Sequence, residues 1–126
     1  MRKSVEELHL ELDAGGMRTR GEQWGECTVR HLELPPGNDV TPLMKGLPGD
    51  LCQCPHWGIM LAGAINVRYA DGSTEVARAG DLFYWPPGHT GWTDEAATFV
   101  EISPTAQLKP VLEHMARMLA ESAGRR

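Results

Sequence analysis

The chain has 126 residues, which is the size of one domain and is long enough to bury a hydrophobic core without covalent staples. Hydrophobic residues make up 41% of it and charged residues 23%. These values are near globular averages and favour a folded chain over an intrinsically disordered one. The formal net charge of −5 disfavours a nucleic acid or an anionic membrane as a partner, because both are bound by clustered Lys and Arg.

The start of the chain turns acidic at Glu6 and Glu7, and no apolar stretch approaches the ~18 residues that span a bilayer. We therefore expect a cytoplasmic protein. In that reducing compartment, the three cysteines are expected to be metal ligands or buried thiols rather than disulfides.

The N-terminal segment carries two conflicting patterns. Ser4 and Glu7 fit the capping box of a helix, whereas Leu8, Leu10 and Leu12 alternate with polar residues as in a strand. We favour the strand.

The rest of the chain is predicted to be mostly strands. Fourteen glycines and nine prolines divide it into short segments, which favours strands over long helices. Asp71-Gly72 supplies the positive φ angles of a tight hairpin turn after an alternating strand. The predicted strands are residues 27–34, 58–62, 65–69, 73–78, 82–85 and 98–102.

One helix is predicted, at the C-terminus over residues 109–122. Pro110 stands near its first turn, and Val111, Met115 and Leu119 repeat at helical spacing. This apolar stripe is expected to pack on the chain's own sheet or on a second subunit. The sequence thus predicts one all-β domain over residues 1–126, with its core at about 25–103 and a C-terminal helix.

The segment with the strongest chemical signal contains Cys52, Cys54 and His56. If the backbone is extended there, all three side chains lie on one face, because strand side chains alternate with period two. Thiolate and imidazole are the donors that a zinc ion uses, and two thiolates would balance a divalent charge in a buried site. Pro55 stiffens the presentation of His56. The alternative is that both cysteines are small buried hydrophobic residues and His56 is a hydrogen-bonded core residue.

A second segment presents His89 directly after a rigid Pro-Pro-Gly turn at residues 86–88. A histidine in that place is suited to point into the mouth of a barrel, and Trp85 and Trp92 flank it. The sequence predicts His89 as a further metal ligand. The alternative is a histidine of an ordinary surface turn.

These two segments resemble the two conserved motifs of the cupin superfamily. Gly80-Asp81, then Leu-Phe-Tyr-Trp and Pro-Pro-Gly, is similar to the second motif. Residues 52–63, with a Cys-Pro-His-Trp-Gly variant at 54–58, resemble the first motif at its usual spacing. The resemblance spans about residues 29–103 and implies a small antiparallel β-barrel, or jelly roll, with a metal site. It also implies a homodimer, which would help to cover edge strands.

The match to the cupin ligand pattern is incomplete. The family's glutamate falls on His56 and its second histidine on Cys52, whereas its first histidine falls near Asp50. The histidine of the second motif is expected at Gly91, and His89 is the nearest substitute. With sulfur among the donors, zinc is favoured over the iron or manganese of typical cupin oxygenases, although another divalent transition metal would fit.

Several other residues are weaker candidates. Trp57, Trp85 and Trp92 are predicted to line an apolar ligand pocket, with ordinary packing as the alternative. Glu101 and Tyr84 are candidate proton-transfer groups.

Three functions stay open from the sequence. The first is a zinc-dependent enzyme acting on a small organic molecule, which needs a vacant coordination position. The second is a non-enzymatic, zinc-stabilised module that binds a small ligand or senses oxidation through its thiolates. The third is a barrel without metal in which the cysteines only pack.

Overall fold

The computed structural model describes residues 1–124, and these form eight strands and two α-helices. Short 3-10 turns lie at Val5–Glu7 and Pro48–Asp50. The elements in chain order are β1 (His9–Ala14), β2 (Met17–Trp24), β3 (Cys27–Leu34), α1 (Thr41–Met44), β4 (His56–Tyr69), β5 (Thr74–Arg78), β6 (Leu82–Trp85), β7 (His89–Trp92), β8 (Ala97–Pro104) and α2 (Thr105–Gly124).

All pairs of neighbouring strands are antiparallel, in the order β1-β2-β3-β8-β4-β5. Strands β6 and β7 also pair with β4. The first half of β4 pairs with β6 and β8, and its second half with β5 and β7, so this strand joins the two parts of the sheet. The predicted all-β barrel or jelly roll with a C-terminal helix is confirmed.

Strand β4 differs from the prediction of two separate strands on either side of Gly63. It is one strand of 14 residues that passes through Gly63. The pairing of β4 with β8 shifts register between Met60 and Ala62, and Gly63 has a φ of 68°. A glycine in this left-handed region bends the strand rather than ending it, because it adopts that conformation without a steric penalty.

Aromatic side chains occupy the centre of the core. The rings of Phe83 and Trp85 stack with centroids 3.8 Å apart, and Phe99 meets both of them edge-on. The remaining buried residues of this cluster come from β3, β4, β5 and β8 and are Leu32, Leu34, Met60, Ile65, Val67, Ala77 and Ala97. The interior is therefore filled by side chains in this region.

The N-terminal segment combines both of its sequence patterns. The Glu7 carboxylate accepts hydrogen bonds from the Ser4 amide and hydroxyl, which closes a 3-10 turn. The favoured strand then follows at His9–Ala14.

Helix α2 begins at Thr105, four residues before the predicted start, because β8 runs directly into it. The Thr105 amide donates to the Glu26 carbonyl at 3.0 Å, and its hydroxyl lies 2.7 Å from that of Thr28. Pro110 consequently stands inside the helix. Along residues 1–124, no helix combines the length and apolar character needed to cross a bilayer.

The N-terminal half of α2 covers a second, smaller core. Leu108 and Val111 pack there with Met44 of α1 and with Cys52 and Cys54. The predicted apolar stripe of the helix therefore packs in part on its own chain, next to both cysteines of the candidate metal segment.

Candidate metal centre

Three buried side chains converge where the 52–56 segment meets the start of β7. The sulfur of Cys52 and one ring nitrogen each of His56 and His89 all lie within 4.8 Å of one another. Cys52 Sγ is 3.7 Å from His56 Nε2. In a tetrahedral zinc site, bonds of about 2.3 Å to sulfur and about 2.0–2.1 Å to nitrogen set that separation at about 3.6 Å. This spacing fits a zinc ion.

Backbone hydrogen bonds fix Cys52 against His89. The two residues form an antiparallel bridge, in which the Cys52 amide donates to the His89 carbonyl at 2.8 Å. The Cys52 carbonyl accepts from the amides of Gly88 at 2.7 Å and His89 at 3.2 Å. Donors 37 positions apart in the sequence are thus held side by side by main chain.

His89 is oriented by the turn that precedes it. Its Nδ1 lies 2.7 Å from the Pro86 carbonyl oxygen, which accepts only, so Nδ1 carries the proton and donates. The Nε2 lone pair is then free to bind a cation. The Pro-Pro-Gly turn accordingly sets the tautomer of His89.

His56 is oriented from strand β8. Its Nδ1 lies 2.6 Å from Ser103 Oγ and 3.3 Å from the Glu101 carboxylate. Arg30 in turn pairs with Glu101 at 3.0 Å and with Glu11 at 3.0 Å. A carboxylate behind a histidine is the usual outer partner of a metal-bound imidazole. Because Ser103 and Glu101 lie at Nδ1 of His56, its Nε2 faces Cys52.

Burial keeps the donors uncharged at neutral pH. It lowers the pKa of His89 to about 4 and also lowers the pKa of His56. It raises the pKa of the Cys52 thiol to about 11. Both imidazoles therefore offer lone pairs, and the thiol keeps its proton until a cation displaces it.

Cys54, the other predicted thiolate ligand, lies outside this group. The chain bends at Cys54 before β4 begins, so the extended backbone assumed from the sequence does not hold there. The Cys54 thiol is fully buried and donates to the Pro55 carbonyl at 3.4 Å. Burial raises its pKa to about 12. All three cysteines are free thiols.

The aromatic candidates lie on both faces of the sheet. Trp85 is buried and pairs across strands with His56, so it shares the interior face with that histidine. Trp57 and Tyr84 stack on each other on the outer face, each about half exposed. Trp92 is half-buried on β7 beside Asn66. Of the predicted pocket residues, only Trp85 has its ring next to both imidazoles.

The two predicted proton-transfer candidates lie in different places. Glu101 is 3% exposed and contacts Nδ1 of His56, on the side of the ring away from Cys52. Tyr84 lies on the outer face of the sheet. The sequence reasoning missed Arg30 and Ser103, which complete this arrangement. Arg30 stands on the buried face of β3, directly opposite Glu101 on β8. A charged residue at an inward position of an alternating strand is the signal that could have revealed it.

Two surface depressions, each of about 470 Å³, lie near Tyr69 and Ala70. Neither is lined by Cys52, His56 or His89. The donor cluster is buried and does not belong to either of these depressions.

Solved structures that share this architecture include proteins described as cupins. An RmlC-like cupin from Shewanella frigidimarina is 18% identical, with a TM-score of 0.58 over 81% of this chain and 88% of that chain. The polyketide cyclase RemF from Streptomyces resistomycificus is 15% identical, with a TM-score of 0.61 over 82% and 78%. Oxalate decarboxylase from Bacillus subtilis, described with Mn(II) centres, is 20% identical with a TM-score of 0.58.

The match to oxalate decarboxylase covers 81% of this protein's chain but only 28% of the oxalate decarboxylase chain. No protein-family model and no curated protein matches the sequence. At these identities the likeness establishes the cupin fold and leaves the activity to be argued from the site.

Proposed function

We propose that this cupin-fold protein binds one zinc ion through Cys52, His56 and His89 and presents it to a small ligand. The observation that carries the proposal is the orientation of both histidines. Each has its Nδ1 hydrogen-bonded, to Ser103 or Pro86, which leaves Nε2 as the free ring nitrogen. One ring nitrogen of each histidine and the Cys52 sulfur lie within 4.8 Å of one another.

Donor chemistry supports zinc over harder ions. One sulfur and two imidazoles form a borderline-soft set, whereas manganese and magnesium favour carboxylate and water. A trigonal Cys-His₂ set is also found in blue-copper sites, so metal analysis has to distinguish copper from zinc.

Three protein donors leave one position of a tetrahedral ion vacant, which is the arrangement of catalytic rather than structural zinc sites. A zinc ion there would act as a Lewis acid toward an oxygen of the ligand. Glu101 and Ser103 hold the ring of His56, and the Pro86 carbonyl holds that of His89. Met44, Leu108 and Val111 keep bulk water from the thiol side of the site.

This arrangement favours binding of, or reaction with, a small organic molecule over redox sensing. Cys52 is 4% exposed and Cys54 is fully buried. Sensor thiols are accessible and carry a lowered pKa, whereas burial raises the pKa of both these thiols. A reducing cytoplasm, which we propose as the location, would keep the thiols free.

Substitution of Cys52 tests the metal centre. We expect the purified protein to contain one zinc per chain, and Cys52→Ser to lower zinc affinity by more than the roughly 10–100-fold that loss of an outer hydrogen-bond partner costs. Inductively coupled plasma mass spectrometry gives the metal content, and competition with a chromogenic chelator gives the affinity.

Two matched substitutions serve as controls. Cys27→Ser changes a half-buried thiol on β3, away from the site, and should leave zinc affinity unchanged. Cys54→Ser tests whether the neighbouring thiol contributes to zinc binding. If only Cys52, His56 and His89 bind the ion, Cys54→Ser should lower zinc affinity less than Cys52→Ser does. Zinc affinity that is equal in wild type and Cys52→Ser, or stoichiometric copper in place of zinc, would contradict the proposal.

We further propose that the protein is a homodimer joined through the outer face of the sheet. This outer patch comprises apolar side chains from β4, β6 and β8, and they are Trp57, Ile59, Leu61, Leu82, Tyr84 and Ile102. Each is 36–81% exposed. The central contact is the stacked Trp57–Tyr84 pair, with ring centroids 5.2 Å apart.

The size and chemistry of the patch favour a second copy of the chain as its partner. Its exposed apolar area is on the order of 600 Å², given roughly 150–250 Å² for a whole aromatic side chain. This reaches the upper end of the ~300–600 Å² typical of monomers and approaches the ~800 Å² per partner of a stable complex. None of its six side chains is charged, so two copies related by a two-fold axis meet without like-charge repulsion.

A charge at the centre of the outer patch should break this dimer. We expect a dimeric mass for the wild type in light scattering coupled to size-exclusion chromatography, and a monomeric mass for Trp57→Glu. The control is Leu10→Glu, because Leu10 is 44% exposed on edge strand β1, outside the patch. A wild-type monomer, or a dimer that persists in Trp57→Glu, would refute the interface.

A further inference from the structure

Trp85 carries a buried hydrogen-bond donor that nothing satisfies. The residue is 4% exposed, and within residues 1–124 its Nε1 is the one buried side-chain nitrogen or oxygen without a hydrogen-bond partner. Burying such a group without a partner costs roughly 1–3 kcal/mol. A ring of carbon alone, such as phenylalanine, would fill an apolar core without that penalty.

The surroundings of the indole limit where a partner could come from. Phe83 covers one face of the ring at 3.8 Å, and Phe99 meets it edge-on at 5.6 Å. Neither has a polar atom. The imidazoles of His56 and His89 lie at centroid distances of 6.3 and 6.1 Å, so the metal centre is a polar neighbour of Trp85.

The imidazoles themselves do not serve as that partner. Each has its Nδ1 engaged by Ser103 or Pro86, and each Nε2 belongs to the donor cluster with Cys52. An Nε2 lone pair that binds a cation cannot also accept a hydrogen bond. A ligand bound at the metal centre would supply the acceptor that the indole lacks.

We infer that the Trp85 indole N–H is the hydrogen-bond donor for a small monoanion of the carboxylate class that binds at the vacant position beside Cys52, His56 and His89. This inference rests on the proposed metal site and names the class of ligand that the site selects.

Charge supports a monoanion. A divalent cation with one thiolate and two neutral imidazoles keeps one positive charge. The Glu101 carboxylate behind His56 is paired with Arg30, and both are buried. Glu11, the second partner of Arg30, has a side chain that is 26% exposed, so water screens its charge. One negative charge on the ligand neutralises the buried site, which a neutral ligand or a dianion would not do.

Packing supports a small ligand. Phe83, Phe99, Ile65 and Val67 fill the interior next to Trp85, so only a few atoms can enter without displacing the core. Formate is therefore a suitable probe, and formamide is its neutral counterpart of nearly the same shape.

The indole proton can be observed directly. In the zinc-loaded wild-type protein labelled with nitrogen-15, formate should move the Trp85 Nε1–H resonance downfield, as expected for a newly formed hydrogen bond. The Trp57 resonance, from a ring on the outer face, should stay in place, and formamide should move neither. A Trp85 resonance that stays in place at saturating formate would overturn the inference.

A substitution measures what the donor contributes. In the cobalt(II)-loaded protein, whose visible absorption reports the coordination of the metal, Trp85→Phe should raise the Kd for formate about tenfold, which corresponds to about 1.4 kcal/mol. Cobalt affinity should stay within twofold of wild type. Trp57→Phe is the matched control and should bind formate as wild type does.

The outcomes separate the two proposals. If cobalt fails to bind the wild-type protein, the metal centre is refuted and the role of Trp85 falls with it. If cobalt binds and the Trp85→Phe variant takes up formate as wild type does, only the role of Trp85 is refuted. Should Trp85→Phe fail to fold, the resonance measurement on the wild-type protein decides alone.

Discussion

Replacing Gly63 by alanine is expected to destabilise the protein by at least about 4 kcal/mol, at the extreme of what single substitutions do. A Cβ at this position would lie 1.8 Å from the Ala96 carbonyl oxygen and 2.9 Å from its carbonyl carbon. These are backbone atoms of the segment that enters β8, so the contact cannot be relieved by a side-chain rotation. The φ of 68° adds the usual left-handed penalty of roughly 1–2 kcal/mol.

Gly25 provides a control with the same backbone conformation. Its φ is 63°, but nothing lies within 4 Å of a Cβ built there. Gly25→Ala should therefore show only the left-handed penalty, and the difference between the two variants isolates the collision at Gly63. Urea unfolding followed by tryptophan fluorescence gives both free energies of unfolding. Equal destabilisation in the two variants would show that β4 does not bend at Gly63 in the way described.

The behaviour of β4 shows how far the sequence could predict this fold. Alternation of apolar and polar residues predicted the segment after Gly63, where Ile65 and Val67 are buried. The segment before it, residues 58–62, was predicted from a run of apolar residues. A glycine between two such segments is consistent either with the end of one strand or with a bend in a continuous strand. Only pairing with β8, which is distant in the sequence, decides that the strand continues.

Two strands escaped prediction for a different reason. Strand β2 is rich in arginine and other polar residues, and its buried positions are taken by small ones, Thr19 and Gly21. Strand β7 has only four residues and begins at His89, directly after the Pro-Pro-Gly turn. Neither offers the apolar alternation by which a strand is recognised.

The sequence predicted four ligands, and the structure brings three of them together. Cys52, His56 and His89 were identified from donor chemistry and motif spacing, but Cys54 was grouped with them on the assumption of an extended backbone. Neighbours in a strand point to opposite faces. With His56 inside, Trp57 therefore had to lie outside.

Side chains also alternate between the two faces of β8, where Glu101 and Ser103 both face inward. Glu101 lies directly opposite Arg30 of β3. A buried carboxylate and a buried guanidinium directly opposite each other neutralise each other's charge, and either one alone would be an uncompensated buried charge. This pair could have been predicted only from the register of β3 with β8, which no local pattern specifies.

Replacing Arg30 by methionine is expected to destabilise the protein by about 3–5 kcal/mol. Arg30 is 9% exposed and donates to both Glu101 and Glu11 at 3.0 Å. Burial acts to lower the pKa of Arg30, but the charges of Glu101 and Glu11 outweigh it and the pKa is raised. Methionine keeps much of the volume but removes the charge, so the Glu101 carboxylate, 3% exposed, is left without its cation.

The control for this substitution is Arg18→Met. Arg18 contacts Asp13 at 3.4 Å and Glu33 at 3.8 Å, but its side chain is 49% exposed. Exposed ion pairs of this kind contribute about 0–1 kcal/mol. Unfolding in urea should therefore separate the two variants by at least about 2 kcal/mol.

The double variant Arg30→Met/Glu101→Gln distinguishes an unpaired charge from lost packing. If the uncompensated carboxylate causes the loss, removing its charge should restore more than half of the stability that Arg30→Met takes away. The glutamine oxygen can still accept a hydrogen bond from His56 Nδ1, so the ring should keep its orientation and its affinity for zinc. A double variant no more stable than Arg30→Met would mean that Arg30 acts through packing, and that Glu101 does not depend on it to face His56.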